Sequence, residues 1–393
     1  MADIFDKAYN YTIAKKAMKE GYYPYFLQMS SNEGTESVYN GKRVIMCGSN
    51  NYLGLTIHPK VINAAIEATR EQGTSCTGSR FLNGNLKLHH ELEEELAKWV
   101  GKESALIFST GMQVNLGVIS ALINRNDVII LDKDAHASIV DGSILSMGDI
   151  RRFSHNDMQG LERILSGIPE NKAKLVVVDG LYSMGGDLAQ LPEIVSLCNK
   201  YKARIMVDDA HGMGVLGKGH GTVAHFGLTN EIDLIMSTFS KSFASLGGFI
   251  AGDEQVIHYI RHHARSLIFS ASITPANTAA AMASLRVMRD EPERIKKVNK
   301  NGKKMRTGLK KMGFNIGNSV SPIVPILIGD DRKTISVWWA LLDHGVYVNA
   351  ILSPAVPKGN QLLRTSYMAS HTNEQLDMVL DAFEKTGKET GLI

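Results

Sequence analysis

Apolar positions in the middle of the chain come in short dense runs separated by longer stretches of helical spacing. Residues 105–109 read as a buried strand, and residues 113–122 as the helix that follows. Residues 128–131, 174–178, 204–207 and 233–236 repeat the strand pattern, the 174–178 run being dense in β-branched residues. Residues Leu191–Tyr201 place apolar side chains at helical spacing, with Pro192 suited to a first turn. Residues 249–251 add a further strand, expected to be antiparallel. Alternation of this kind predicts an α/β fold with a mostly parallel central sheet covered by helices on both faces. In such sheets chemistry gathers at the carboxyl ends of strands.

Pro275 opens an alanine-rich helical stretch over 276–289, which marks the exit from the large domain. Beyond it the pattern is helix, strand (323–328), helix, strand (362–367). The expected domains are an N-terminal segment, 1–55, with an amphipathic helix and short strands around 41–46; a large domain, 56–280; and a small α/β domain, 281–393. No stretch approaches the roughly 20 apolar residues that span a bilayer, and residues 1–20 lack the apolar run of a signal peptide.

The 393 residues are 44% hydrophobic and 21% charged, with a formal net charge of +3. That balance, without a dense basic tract, argues against a nucleic-acid partner. The most basic stretch, residues 294–311, reads as a solvated helix face; a patch attracting phosphates or an anionic membrane surface is the other reading. Cys47, Cys76 and Cys198 fit neither a metal site nor a disulfide framework, as expected of a cytoplasmic protein.

Four segments carry candidate chemistry, each after an expected strand. In Ser237-Thr238-Phe239-Ser240-Lys241-Ser242 a lysine stands among small hydroxyls, as a carbonyl-binding amine would. Val207-Asp208-Asp209-Ala210-His211 offers an anionic partner for a ring nitrogen at Asp208 and a second ring contact at His211. No third ligand of matching spacing accompanies them, so no metal is expected. Ser109-Thr110-Gly111-Met112 turns from strand to helix and could seat a phosphate. In Asp134-Ala135-His136-Ala137-Ser138 a histidine could stack on a flat cofactor. Each segment alone has a plain structural reading: a surface lysine, a capping carboxylate, a simple connection, a loop histidine. Their joint occurrence is what points to a cofactor.

These motifs resemble the α-oxoamine synthases, fold-type I pyridoxal 5'-phosphate (PLP) enzymes with the aspartate aminotransferase-like fold. The resemblance runs from Asn51-Tyr52-Leu53-Gly54-Leu55 to Arg364 and His371. It includes Gly78-Ser79-Arg80-Phe81, His225-Phe226-Gly227 and Ser353-Pro354-Ala355-Val356-Pro357. Within the family the chain is most similar to soluble bacterial members that use serine and palmitoyl-CoA, through Gly78 to Gly84, Phe239 to Ser245 and the Ser-Pro-Ala-Val-Pro run. The resemblance implies a decarboxylative condensation of L-serine with a long-chain acyl-CoA, giving 3-ketodihydrosphingosine, CoA and carbon dioxide in sphingolipid synthesis. A glycine- or alanine-using member of the family is the alternative. It also implies that Lys241 carries PLP, Asp208 partners the ring nitrogen, His211 the ring oxygen, and His136 stacks. Gly111, Met112, Ser183, Thr238 and Ser240 would line the cofactor, with Ser270 and Ala271 reaching it from the second subunit of a homodimer. Arg364 would bind the substrate carboxylate, with Asn51 and His136 nearby. Residues 22–27 lack an arginine found there in some relatives, which leaves the acyl and CoA contacts unassigned.

Overall fold

The computed structural model describes residues 3–32 and 34–393. Two short helices, Asp6–Tyr9 and Ile13–Lys19, stand where the sequence suggested one amphipathic helix, and neither buries a residue. With no apolar face packed in this chain, nothing stabilises a longer helix there. Three strands follow: β1 (Met29–Asn32), β2 (Glu36–Tyr39) and β3 (Lys42–Met46), joined as an antiparallel meander.

The large lobe is built on β4 (Ser104–Phe108), β5 (Val128–Asp132), β6 (Asp149–Phe153), β7 (Lys174–Asp179), β8 (Arg204–Asp208), β9 (Leu234–Thr238) and β10 (Gly248–Gly252). Their order across the sheet is β4-β10-β9-β8-β7-β5-β6. β10 runs antiparallel to β9 and β4, and the remaining pairs are parallel. Successive side chains of β5 enter opposite cores, Val128 and Ile130 on one face, Ile129 and Leu131 on the other. Burial on both faces is why these strands read as continuous apolar runs. β6 (Asp-Ile-Arg-Arg-Phe) escaped the sequence reading. As the edge strand it is only partly buried and carries the charges expected at an edge.

The C-terminal lobe holds β11 (Ile323–Leu327), β12 (Val346–Tyr347), β13 (Asn349–Ile351) and β14 (Leu362–Ser366). β14 lies between β11 and β13, antiparallel to both. β12 pairs in parallel with β3, so the N-terminal strands complete a sheet of this lobe. Val44, Ile45 and Cys47 accordingly share a core with Trp338 and Phe383. The helix Pro275–Asp290, capped by Thr274 at the Asn277 N–H, packs along the helix Pro59–Gln72. In the basic helix Glu293–Lys311 the buried positions are Ile295, Val298, Asn301, Gly302, Met305 and Leu309. Their spacing turns the lysines outward, which is the solvated face expected from sequence. Among the described residues no helix is long and apolar enough to cross a membrane.

The strand register brings the chemistry to one edge. Asp179, at the end of β7, pairs with Asp208 at the end of β8, and Asp208 with Met236 of β9. The Thr238–Lys241 turn follows two residues later. Two carboxylates and a lysine-bearing loop therefore emerge side by side at the carboxyl ends of adjacent strands.

Candidate active site

Beyond these strand ends lies a cavity of about 310 Å³. Gly111, Met112, His136, Asp208, His211, Thr238, Ser240 and Lys241 all line it. The lysine loop is anchored from below. Phe239, Phe243 and Phe249 are fully buried, with the first two rings 5.1 Å apart. The Phe239 N–H donates to the Gly247 carbonyl and closes the loop. Gly247 has φ +129°, and a Cβ there would stand 2.6 Å from the Phe239 ring, so no other residue fits. Ala244 sits at φ 49°, a conformation non-glycine residues adopt at some cost in active-site loops.

The opposite wall is the start of the helix Gly111–Leu122. Thr110 caps it by accepting from the Gln113 N–H at 3.1 Å. Among the described residues the N–H groups of Gly111 and Met112 have no partner, and they carry the positive end of the helix dipole. A Cβ on Gly111 would lie 2.7 Å from the Thr238 Oγ1, so glycine here keeps the helix close to the hydroxyl-bearing turn. Thr238 Oγ1 lies 2.9 Å from Ser240 Oγ and accepts from the Ser240 N–H at 3.3 Å.

A buried asparagine ties the floor together. Asn115 Nδ2 donates to Asp208 Oδ2 and to Ser138 Oγ, both at 2.8 Å. The Ala210 N–H donates to Asp208 Oδ1 at 3.1 Å. Ser138 Oγ, which accepts from Asn115, lies 2.7 Å from His136 Nδ1, to which the Ser138 N–H also donates at 3.3 Å. With two donors facing Nδ1, the His136 proton belongs on Nε2. The second carboxylate of the motif, Asp209, turns away to accept from Thr222 N and Oγ1, and burial pushes its pKa up to about 6.

Burial pulls the Lys241 ammonium down to about 8 against the opposing pull of Asp208 and Asp179, with Arg364 lowering it further. Among the described residues its Nζ has no hydrogen-bond partner. Asp179, 4% exposed, accepts from the His136 N–H at 3.1 Å. Burial and then the Asp208 charge raise its pKa well above the ordinary carboxylate range. In cofactor-free protein, modification of Lys241 by a small amine-directed anhydride should rise with pH and reach half its maximum at about pH 8. Surface lysines should trail by two pH units or so. A Lys241 midpoint near the ordinary 10.5 would contradict this account.

Ser183 and Arg364 do not line the cavity but meet beside it. Arg364, 4% exposed, donates from Nε to the Ser183 carbonyl at 2.5 Å and from Nη2 to Asn50 Oδ1 at 2.9 Å. Nη2 also reaches Tyr52 Oη at 3.3 Å, and that oxygen lies 2.7 Å from His211 Nδ1. Burial, reinforced by Lys241, Arg364 and His136, holds the His211 pKa well below its usual value, so the ring is neutral. Asn51 is committed to its own loop: Nδ2 donates to Thr56 Oγ1 and Oδ1 accepts from the Leu55 N–H. Ser270 and Ala271 lie outside this chain's cavity, tied by Gln113 Nε2 and Ser109 Oγ. The Arg80 of the Gly78–Phe81 motif is buried in a bidentate pair with Glu93, which also accepts from the Ile107 N–H of β4. It anchors the loop whose Gly78 and Gly84 carbonyls hold Ser272, next to Ala271.

Sequence reasoning passed over Asn50, Tyr52, Asn115, Ser138 and Asp179 as site residues. Asp179 ends an apolar strand just as Asp208 does, and Asn115 is a polar residue inside an apolar helix; both were signals. His155 was also passed over. Its ring bridges Asp132 (3.1 Å) and Asp187 (2.8 Å), and these carboxylates raise its pKa to about 10 against the desolvation that is its largest single influence. As a cation it clamps the loop leading to His136 against the one bearing Ser183.

The cavity fits PLP on its own donor set. A hydrogen-bonded carboxylate, an amine and a helix start with N–H groups that have no partner among the described residues line one space, together with His136. Asp208 would hold the ring nitrogen, His211 the ring oxygen, Lys241 the aldehyde carbon, and Gly111, Met112, Thr238 and Ser240 the phosphate. A wider cavity of about 750 Å³ opens at the opposite ends of the strands. Its charges are spent locally, Arg204 on Asp233 and Lys102 on two carbonyls, so chemistry is assigned to the smaller one.

Comparison with known proteins gives the family. The aminotransferase class I and II family matches residues 42–383. The serine palmitoyltransferase of Sphingobacterium spiritivorum is 49% identical over 381 residues, covering 97% of this chain and 96% of its own. The 8-amino-7-oxononanoate synthase of Thermoanaerobacter pseudethanolicus is 39% identical, with full coverage of both. The serine palmitoyltransferase of S. paucimobilis, solved with PLP and myriocin bound, superposes with a TM-score of 0.96 at 38% identity over the whole of both chains.

Proposed function

The chain belongs to the aminotransferase class I and II family and, within it, to the α-oxoamine synthases; from that premise we propose that it condenses L-serine with palmitoyl-CoA to 3-ketodihydrosphingosine, releasing CoA and carbon dioxide. The observation that carries the reading is Lys241, an amine with a lowered pKa and no hydrogen-bond partner among the described residues, in one cavity with Asp208. Once bound, PLP supplies an electron sink for cleavage of bonds at the amino acid's α-carbon. The chain supplies the rest. Lys241, near neutrality, takes and returns the α-proton. Asp208, held by Asn115 and the Ala210 N–H, would face the ring nitrogen. His136, oriented by Ser138, would stack on the ring and offer Nε2–H to the substrate. Arg364 receives the serine carboxylate on its Nη1 edge, which has no hydrogen-bond partner among the described residues.

The serine-using relatives favour serine over the alternative, a glycine- or alanine-using synthase of the 2-amino-3-ketobutyrate ligase or 8-amino-7-oxononanoate type. Purified enzyme offered serine, glycine and alanine against acyl-CoAs of several lengths, with products read by mass spectrometry, decides between them. Serine with palmitoyl-CoA should dominate; a dominant glycine or alanine product would overturn the assignment.

The working unit in this reading is a homodimer with shared sites. Ser270 and Ala271 miss their own chain's cavity, and Phe269 beside them is 74% exposed. The enzyme acts in the cytoplasm and meets the acyl chain from the aqueous side.

A further inference from the structure

We propose that Tyr52 is a positioning residue that holds His211 as the tautomer with its only proton on Nε2. The inference rests on His211 being the ring-oxygen partner described above and names what orients it.

The argument is a count of protons. Tyr52 is fully buried, so its hydroxyl has no water to turn to. Three groups face its oxygen: His211 Nδ1 at 2.7 Å, Asn50 Oδ1 at 3.3 Å and Arg364 Nη2 at 3.3 Å. Guanidinium can only donate, so Arg364 occupies a lone pair of that oxygen. The single hydroxyl proton then goes to His211 or to Asn50. The His211 contact is shorter by 0.6 Å, and Asn50 Oδ1 already accepts from Arg364 at 2.9 Å. The proton therefore points at His211 Nδ1. A nitrogen that accepts carries no proton of its own, and a neutral ring has one to place, so Nε2 bears it. Nε2 has no partner among the described residues, and the ring lines the cavity. The N–H donor is thus aimed where a phenolic oxygen would lie. The opposite tautomer would present a lone pair to that oxygen. Arg364 strengthens the arrangement, because a cation donating to the tyrosine oxygen makes its O–H a better donor.

The test is histidine-selective ¹⁵N NMR on the full-length protein, with and without PLP. The His211 signals are identified by their loss in His211→Gln. Wild type should show an unprotonated Nδ1 and a protonated Nε2 in both states. Tyr52→Phe removes only the hydroxyl; it should shift His211 toward Nδ1–H or a mixture of the two tautomers. Its kcat/KM should fall roughly three- to tenfold, the scale of one hydrogen bond. His211→Gln should move the absorbance of the bound cofactor, and Tyr52→Phe should move it the same way by less. A wild-type His211 already protonated on Nδ1 overturns the proposal, whether or not the variant folds. So does a tautomer unchanged in Tyr52→Phe. Failure to use serine would overturn the proposed function and leave the tautomer result standing, since that is read without substrate.

Discussion

Replacement of Lys241 by alanine should lower turnover by at least about 10³- to 10⁴-fold while leaving the melting temperature unchanged or slightly raised. The two halves of that expectation have separate causes. Among the described residues lining the cavity Lys241 is the one amine, and burial lowers its pKa to about 8. It can therefore be neutral enough to attack an aldehyde and still return a proton afterwards. Among the described residues no other titratable group lining the cavity does both: Asp208 and Asp179 are carboxylates held in hydrogen bonds, His211 is held neutral, and His136 has its Nδ1 engaged. The stability half follows because Lys241 Nζ makes no hydrogen bond among the described residues. Alanine removes a cation that burial disfavours more than the attraction of Asp208 and Asp179 favours it, and breaks no hydrogen bond among the described residues. Borohydride should attach PLP to wild-type protein at Lys241 alone and leave the variant unlabelled. Label on another lysine, or a variant retaining a tenth of its activity, would end the assignment.

The large lobe was legible because its strands are buried on both faces. Val128–Asp132 and Lys174–Asp179 can only be central strands of such a sheet. The edge strand Asp149–Phe153 obeys no such rule, since one side lies open and Arg151 and Arg152 are tolerated there. The candidate cofactor residues were legible for a related reason. They follow strands directly, so a motif and its strand appear together in the sequence. What supports them comes from far along the chain. Asn115 meets Asp208 across 93 residues, Tyr52 meets His211 across 159, and Arg364 meets Asn50 across 314. Each partner is ordinary in its own neighbourhood, and only the folded register makes it part of a site. The N-terminal strands show the same limit. Their apolar residues mark them as structured, yet nothing local says that β3 will pair with β12, some 300 residues away.

Arg364 to alanine should raise the serine requirement about 30-fold to a few thousand-fold while PLP stays bound. Arg364 belongs to β14, where it stands opposite Pro325 and Asn349 in the C-terminal lobe. Its guanidinium crosses to the large lobe at the Ser183 carbonyl. Among the described residues all its hydrogen-bond partners are neutral: a carbonyl, an amide oxygen and a hydroxyl. A buried cation without a counter-ion is an expensive arrangement for stability alone. Its planar fork is suited to a carboxylate, and serine brings one. Alanine would also remove neutral hydrogen bonds, so some loss of melting temperature is expected whichever role dominates. Serine affinity separates the two roles, because a purely structural arginine would leave it unchanged. Serine titrations followed through cofactor absorbance, run beside thermal melts, read both quantities on one sample. Arg364→Lys sharpens the result: it keeps the charge and loses the fork, so a structural role would be largely restored and carboxylate binding only in part. A variant with wild-type serine affinity and a melting temperature many degrees lower would make Arg364 a clamp between the lobes rather than a substrate ligand.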